Sequence, residues 1–286
     1  MRIIVTGAGG QLGRELARSL AAFDPILLTR AALDVTDAVA VEGVFRSASP
    51  DAIIHAAAWT DVDACERDPD RARRFNVIGT TNVARAAGRS FLVVVSTDYV
   101  FDGELGRAYV ETDEPSPLQV YGRTKLEAER IALGQTARCA IARSAWLYGA
   151  YTARGDLARN FVTSILRAAR RGPIDVVDDQ TGSPTTVADF ADALARLVAE
   201  PTTGVLHVVN EGEVSRYQLA RAAVERAGID ALVRPVATAN APVRPAMRPP
   251  FAPLEGKAWR AAGFDPLPSW DDALARALPE ILEALP

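Results

Sequence analysis

Met1-Arg2-Ile3-Ile4-Val5-Thr6-Gly7-Ala8-Gly9-Gly10-Gln11-Leu12-Gly13 opens the chain and decides its fold class. The first six residues are a short apolar, β-branched run that reads as a buried strand. Gly7, Gly10 and Gly13 follow with Gly-x-x-Gly-x-x-Gly spacing, and Gly9 also keeps a Gly-x-Gly start. Arg14 to Leu20 then form an amphipathic helical pattern. Strand, glycine turn and helix are the context of a dinucleotide-binding loop. Glycine lets the backbone turn tightly and approach a pyrophosphate, and the helix N-terminus offers free N–H groups and a positive dipole end. The bland alternative is a tight turn that binds nothing.

Further strands and helices alternate downstream. Pro25 to Arg30 reads as a second strand ending in a cation, followed by Leu33-Asp34-Val35 and a helix through about Ala48. Rossmann-type sites usually hold an acid at that strand end for ribose hydroxyls, whereas an arginine suits a 2′-phosphate. Arg30 therefore points to NADPH over NADH, with NADH still usable; a solvated surface arginine is the other reading. Asp51 to His55 is a third strand, and Ala56-Ala57-Ala58-Trp59-Thr60 is a small-residue exit loop against which a flat ring system fits. A helix through about Gly88 precedes the most apolar strand, Phe91 to Val95, which ends at Ser96-Thr97-Asp98-Tyr99-Val100-Phe101-Asp102-Gly103. In Tyr121-Gly122-Arg123-Thr124-Lys125, at the start of a helical run, the phenol and the ammonium share one face a turn apart. A nearby cation favours phenolate, making Tyr121 a candidate proton donor or acceptor. Ligands of open parallel sheets bind beyond the carboxyl ends of the strands, where the glycine loop, Thr97 and Tyr121 would meet.

Composition narrows the class. The 286 residues are 49% apolar and 24% charged, enough for a sizeable core. A net charge of −4 argues against a general nucleic-acid or membrane-surface binder. Cys65 and Cys139 are too few for a disulfide framework and stand in no CxxC, so they read as reduced thiols of a cytoplasmic protein. No leader segment and no membrane span are expected. With His55 and His207 the only histidines, no metal site is expected, and His207, inside an apolar strand, reads as structural.

Taken together these segments resemble an extended short-chain dehydrogenase/reductase, and more closely the dTDP-4-dehydrorhamnose reductase family. The resemblance rests on the glycine loop with Gln11, Leu33-Asp34-Val35, Ala56 to Asp63, Ser96 to Gly103, Tyr121 to Lys125 and Arg143-Ser144-Ala145-Trp146-Leu147-Tyr148-Gly149. Asn160-Phe161, Asp178 to Thr185 and Ser215-Arg216-Tyr217 extend it along nearly the whole chain. The Ser-Thr-Asp-Tyr-Val-Phe and Asp-Asp-Gln-x-Gly-x-Pro-Thr blocks are specific among nucleotide-sugar enzymes; the Tyr-x-x-x-Lys pair is shared by the superfamily. The resemblance implies an α/β fold, a Rossmann-type doubly wound parallel sheet with a smaller C-terminal α/β substrate-binding portion. It makes Tyr121 the general acid, Lys125 its pKa-lowering partner and a ribose contact, and Thr97 a group that tunes the phenol. Thr97, Asp98 and Trp146 would contact a dTDP-sugar, and Arg248 its diphosphate. Gly7, Gly10, Gln11, Leu12, Gly13, Asp34, Val35, Ala58, Trp59 and Thr60 would line the dinucleotide.

Residues 1–150 are expected to form the cofactor domain, with part of 174–210 returning to it and 151–286 mainly a substrate portion and cap. Residues 150–160 read as a cover over the sugar, and the proline-dense Val233 to Pro253 as an irregular cap. Within that cap, Arg248-Pro249-Pro250-Phe251-Ala252-Pro253-Leu254 departs from the family's Arg-Pro-x-x-Ser-x-Leu, with Phe251 and Ala252 where polar residues are common. The departure bears on the nucleotide half of the substrate. Some relatives dimerise around Mg²⁺ through glutamates; Glu15 is kept without evident partners, leaving a monomer or a homodimer. The competing readings are another nucleotide-sugar 4-ketoreductase, an epimerase or dehydratase, and a non-catalytic reductase-like regulatory subunit.

Overall fold

The computed structural model describes residues 1–285. Its first part runs β1 (Arg2–Thr6), α1 (Gln11–Ser19), β2 (Asp24–Leu28), α2 (Ala38–Ala48), β3 (Ala52–His55), α3 (Val62–Arg67), α4 (Pro69–Arg73), α5 (Gly79–Ala86), β4 (Phe91–Thr97), α6 (Val120–Gln135) and β5 (Cys139–Ser144). The rest runs α7 (Phe161–Ala169), β6 (Ile174–Val177), β7 (Thr181–Gly182), α8 (Val187–Ala199), β8 (Gly204–His207), β9 (Asn210–Glu211), β10 (Val214–Ser215), α9 (Arg216–Arg226), β11 (Val233–Val236), α10 (Lys257–Ala261), β12 (Leu267–Ser269) and α11 (Trp270–Ala284).

Six strands form one parallel sheet in the order β2-β1-β3-β4-β5-β8. Ile3, Ile4 and Val5 of β1, like Leu92, Val93 and Val94 of β4, are wholly buried. Both faces of these strands are covered, as parallel strands require, which is why they read as continuous apolar runs. From β1 the chain steps outward to β2 and then crosses to β3 on the other side of β1. That reversal opens a crevice above the carboxyl ends of β1 and β3. The glycine loop lies at one lip of it, and α6, following β4, carries Tyr121 and Lys125 to the other. The Gln119 side chain caps α6 by accepting from the Gly122 N–H at 2.8 Å, so the helix start is fixed one turn ahead of Lys125.

A second apolar cluster gathers α7, α9 and α11 around Leu166, Leu219 and Leu274. Capping boxes at Asn160/Thr163 and Ser215/Gln218 start α7 and α9. β8 returns to the main sheet beside β5, while β6 stays outside it and pairs with β11. The proline-dense stretch therefore does not begin as irregular chain: Val233–Val236 is a strand. Pro235 is tolerated because this is a two-stranded ladder with an open edge. The expected continuous helix before Gly88 is instead α3, α4, a π-helical turn at Arg74–Ile78, and α5. Residues 150–160 fold into a short turn closed by a Tyr151–Leu157 bridge, with Gly155 at φ 80°. No helix among the described residues is long and apolar enough to cross a membrane.

Candidate active site

One cleft of about 1320 Å³ spans the crevice, and every residue assigned above to catalysis, cofactor or substrate lines it. At the glycine-loop end, a Cβ on Gly7 would stand 2.6 Å from the Ala57 nitrogen, and one on Gly13 2.3 Å from the Ala8 carbonyl oxygen. Gly7 also has φ 74°. These two glycines allow the loop to fold. A Cβ on Gly10 would meet only the Gly7 carbonyl oxygen, at 3.8 Å; Gly10 has no side chain to cap α1, and the helix carries no acid in its first turn. The N–H groups at the start of α1 are thus left for an anion, which is what a pyrophosphate needs.

Beyond the end of β2, the Arg30 guanidinium lies 4.6 Å over the Phe75 ring, and Arg71 lies 4.6 Å over Trp59. Two cations stacked on two aromatics line this wall. Asp34 accepts from the Thr36 N–H at 2.9 Å and hydroxyl at 2.8 Å, and these bonds hold its carboxyl below the usual range. The exit loop after β3 is tied to α6 through Asn76, fully buried in the π-helical turn. Its amide oxygen accepts from Trp59 N–H at 2.8 Å and its nitrogen donates to Thr124 Oγ1 at 3.1 Å. An inserted residue in a helix aims Asn76 inward, and no hydrophobic periodicity signals such an insertion.

At the chemical end, Thr97, Asp98, Tyr121 and Lys125 are all buried. Asp98 accepts from the Thr97 hydroxyl at 3.0 Å. Burial raises Asp98 to about 6, against the pull of that bond and of Arg216. Lys125 donates to the Val95 carbonyl at 2.7 Å. Burial lowers its pKa to about 8, with Glu129 opposing. The expectation that Lys125 makes the phenol easier to ionise is not met in this state. Burial, reinforced by the Asp98 charge, pushes Tyr121 well above an ordinary phenol, while the Thr97 hydroxyl works the other way. Tyr121 is held protonated, the state a proton donor needs. At the end of β5, opposite Thr97 in the ladder, Ser144 Oγ is buried with no hydrogen-bond partner among the described residues.

The remaining wall is cationic. Arg216 lies 3.5 Å over Trp146 and 4.6 Å over Phe161 and makes no ion pair among the described residues. It feels the charges of Asp98, Arg244 and Arg248. Trp146 itself has φ 45°, the left-handed region that bulky residues avoid, and it packs on Gly182, where a Cβ would stand 2.5 Å from the indole. Arg248 has a standing partner: its fork meets the Asp63 carboxylate at 2.5 and 3.0 Å. Arg216, to which the sequence pattern assigns no role, is the first residue of α9 behind its Ser215 cap, the one local signal that fixes its position. Phe251 and Ala252 lie outside the cleft. Ala252 packs with Val100, Phe101 and Tyr109 behind it.

His207 is a satisfied core residue, its Nδ1 bonded to the Tyr109 carbonyl at 3.1 Å. Cys65 and Cys139 are buried free thiols. Glu15 pairs with Arg18, and no group of three or more potential metal ligands stands together among the described residues.

The family model described as the RmlD substrate binding domain matches residues 1–283. A dTDP-4-dehydrorhamnose reductase of Mycobacterium tuberculosis is 44% identical, over 97% of this chain and 92% of that one. A probable dTDP-4,6-dihydroxy-2-methyloxan-3-one 4-ketoreductase of Streptomyces antibioticus is 39% identical over 99% and 97%. A dTDP-4-dehydrorhamnose reductase of Bacillus anthracis, solved in complex with NADP, superposes with a TM-score of 0.92 at 36% identity, over 98% and 99%. With its glycine cradle, buried tyrosine and lysine and cationic wall in one cleft, the chain belongs to the dTDP-4-dehydrorhamnose reductase family.

Proposed function

We propose that this protein reduces the C4 ketone of dTDP-4-dehydro-6-deoxy-L-mannose to dTDP-L-rhamnose, with NADPH preferred over NADH and Tyr121 as proton donor. The observation that carries this reading is the buried Thr97–Asp98–Tyr121–Lys125 group sharing one cleft with the glycine loop. When bound, reduced nicotinamide supplies the hydride. The chain supplies everything else. Tyr121 holds its proton until the C4 oxygen gains negative charge, then gives it up. Thr97, whose hydroxyl favours the ionised phenol, and the Lys125 ammonium one turn behind then stabilise the phenolate left. Asp98 and Trp146 border the sugar. Trp59 and Phe75, which line the same cleft, would offer apolar surface to the adenine.

On the substrate's anionic side, Arg216 is the better diphosphate partner than Arg248, whose charge Asp63 already offsets. Arg216→Met is expected to raise KM for the nucleotide-sugar about 10- to 100-fold, the worth of one charge-assisted bond. The Kd for NADPH should hold. An unchanged KM would return the diphosphate to Arg244 or Arg248. The buried free thiols agree with a cytoplasmic enzyme, and a monomer or homodimer suffices because the cleft is built within one chain.

The test is oxidation of NADPH by purified protein with dTDP-4-dehydrorhamnose. Turnover with a different dTDP-4-ketosugar and none with this one would favour the other ketoreductase reading. Cofactor choice is checked separately. Arg30, stacked on Phe75 and in no ion pair among the described residues, would present a planar fork to the adenosine end. We expect kcat/KM to favour NADPH over NADH by about 10- to 100-fold, nearer the lower end for an exposed fork, and Arg30→Ala to erase most of that preference. A preference that survives would pass the role to Arg71.

A further inference from the structure

Tyr121, Lys125 and Glu129 stand at four-residue intervals on α6 and face the last residues of β4. Val95 takes the Lys125 ammonium on its carbonyl, Ser96 donates its hydroxyl to Glu129, and Thr97 acts on the Tyr121 phenol. Glu129 is 2% exposed and lies in a fork with Arg143, which is 3% exposed. Arg143 Nε approaches its carboxylate at 3.0 and 3.2 Å and Nη2 at 2.7 Å. In the sheet, Arg143 is the ladder partner of Ser96 on one side and of His207 on the other. A buried polar row, charged only at Arg143, thus crosses three strands beneath the site. Such a pair adds little net stability over apolar side chains of the same volume, because desolvation offsets the attraction. Stability alone does not account for it.

We propose that the Glu129–Arg143 pair positions the catalytic lysine: Glu129 supplies the counter-charge to Lys125 and, through Ser96, fixes the strand end that presents Val95 and Thr97. This rests on the reductase reading only for its effect on turnover. His55 on β3 feels the Lys125 charge, Arg143 on β5 with His207 behind it faces Glu129, and Asp98 in the turn after β4 and Cys65 on α3 act on Tyr121, one turn before Lys125 on α6. The Arg73–Glu127 and Arg123–Glu66 pairs on the outer side of α6 are solvated. Burial keeps both histidines neutral, at about 3, and Cys65 at about 12, so Lys125 is the group among them that titrates near pH 8.

The chain has only two lysines, Lys125 and the exposed Lys257, so the ammonium can be followed directly. In ligand-free protein labelled with ¹³C-lysine, two side-chain signals are expected, the Lys257 signal assigned by Lys257→Arg. The Lys125 midpoint should fall by about one pH unit in Glu129→Gln, the low end of what a nearby opposite charge does, and be largely kept in Glu129→Asp. Should Glu129→Gln fold poorly because Arg143 is left unpaired, Glu129→Gln with Arg143→Met removes both charges, and a smaller fall in the same direction is expected. With substrate, the alkaline limb of kcat/KM should move by the same amount. An unmoved Lys125 midpoint, or one that moves equally in Glu129→Asp, overturns the proposal. A shifted midpoint in a protein that never oxidises NADPH would sink the reductase reading and leave the counter-charge standing.

Discussion

Tyr121→Phe is expected to lower kcat by roughly 10²- to 10⁴-fold, the range that positioned proton transfer contributes. The ring packs edge-on against Tyr99, with centroids 5.9 Å apart, and phenylalanine keeps that contact. The Kd for NADPH should therefore change little, and the loss should fall on the chemical step. The pH profile adds a sign. Burial pushes the phenol far above neutrality, so Tyr121 is protonated throughout the working range and causes no limb itself. Lys125 is lowered to about 8, so its charged form is present below that value and lost above it. In the wild type, kcat/KM should accordingly fall as pH rises through about 8. Asp98, raised to about 6, is uncharged below that value and charged above it. Its negative charge makes the phenol a weaker acid, so any change in the wild-type rate near pH 6 should be absent from Tyr121→Phe. Near-normal turnover in Tyr121→Phe would remove this residue from the mechanism.

Where a local pattern had one physical meaning, the fold was legible in the sequence. Ile3-Ile4-Val5 and Leu92-Val93-Val94 could only be strands buried on both faces, and Gly7 to Gly13 could only be a tight turn into a helix. The meeting of the glycine loop, Thr97 and Tyr121 follows from this, because the carboxyl ends of such strands converge on one crevice. Residues such as Asp34, Trp146 and Arg248, by contrast, were implied only by the family resemblance. What escaped depends on contacts between distant segments. Asn76 reaches the Trp59 loop because a π-helical turn rotates it inward. Gln11 joins the loop to Leu147 and Asn160 across two parts of the chain, at 3.2 Å in each case. Val233–Val236 becomes a strand only because Ile174–Val177 is placed beside it. Tyr121 illustrates the same limit in electrostatics. Four-residue spacing to Lys125 predicted a lowered pKa, but the depth of the site and the nearby Asp98 reverse the sign.

Gly122→Ala is expected to lower kcat by about 10²-fold or more and to destabilise the protein, although alanine is the better helix former by about 1 kcal/mol. A Cβ there would stand 2.0 Å from the Tyr99 carbonyl oxygen and 2.6 Å from Gln119 Oε1. The glutamine could swing aside at the loss of its cap, but a backbone oxygen cannot. Either the start of α6 or the turn at Asp98–Val100 has to move. Tyr121 is the neighbour of one and Asp98 belongs to the other, so any relief separates proton donor from carboxylate. A shift of about 1 Å in reacting geometry accounts for the rate loss, and overpacking of this kind costs about 1–3 kcal/mol. Gly134 lies in the last turn of the same helix with nothing within 4 Å of a Cβ. Gly134→Ala should raise stability by a few tenths to about 1 kcal/mol and leave kcat unchanged. Denaturation midpoints and kcat for both variants decide the matter. If Gly122→Ala matches Gly134→Ala in both, the close approach of α6 to Tyr99 is not what holds Tyr121 in place.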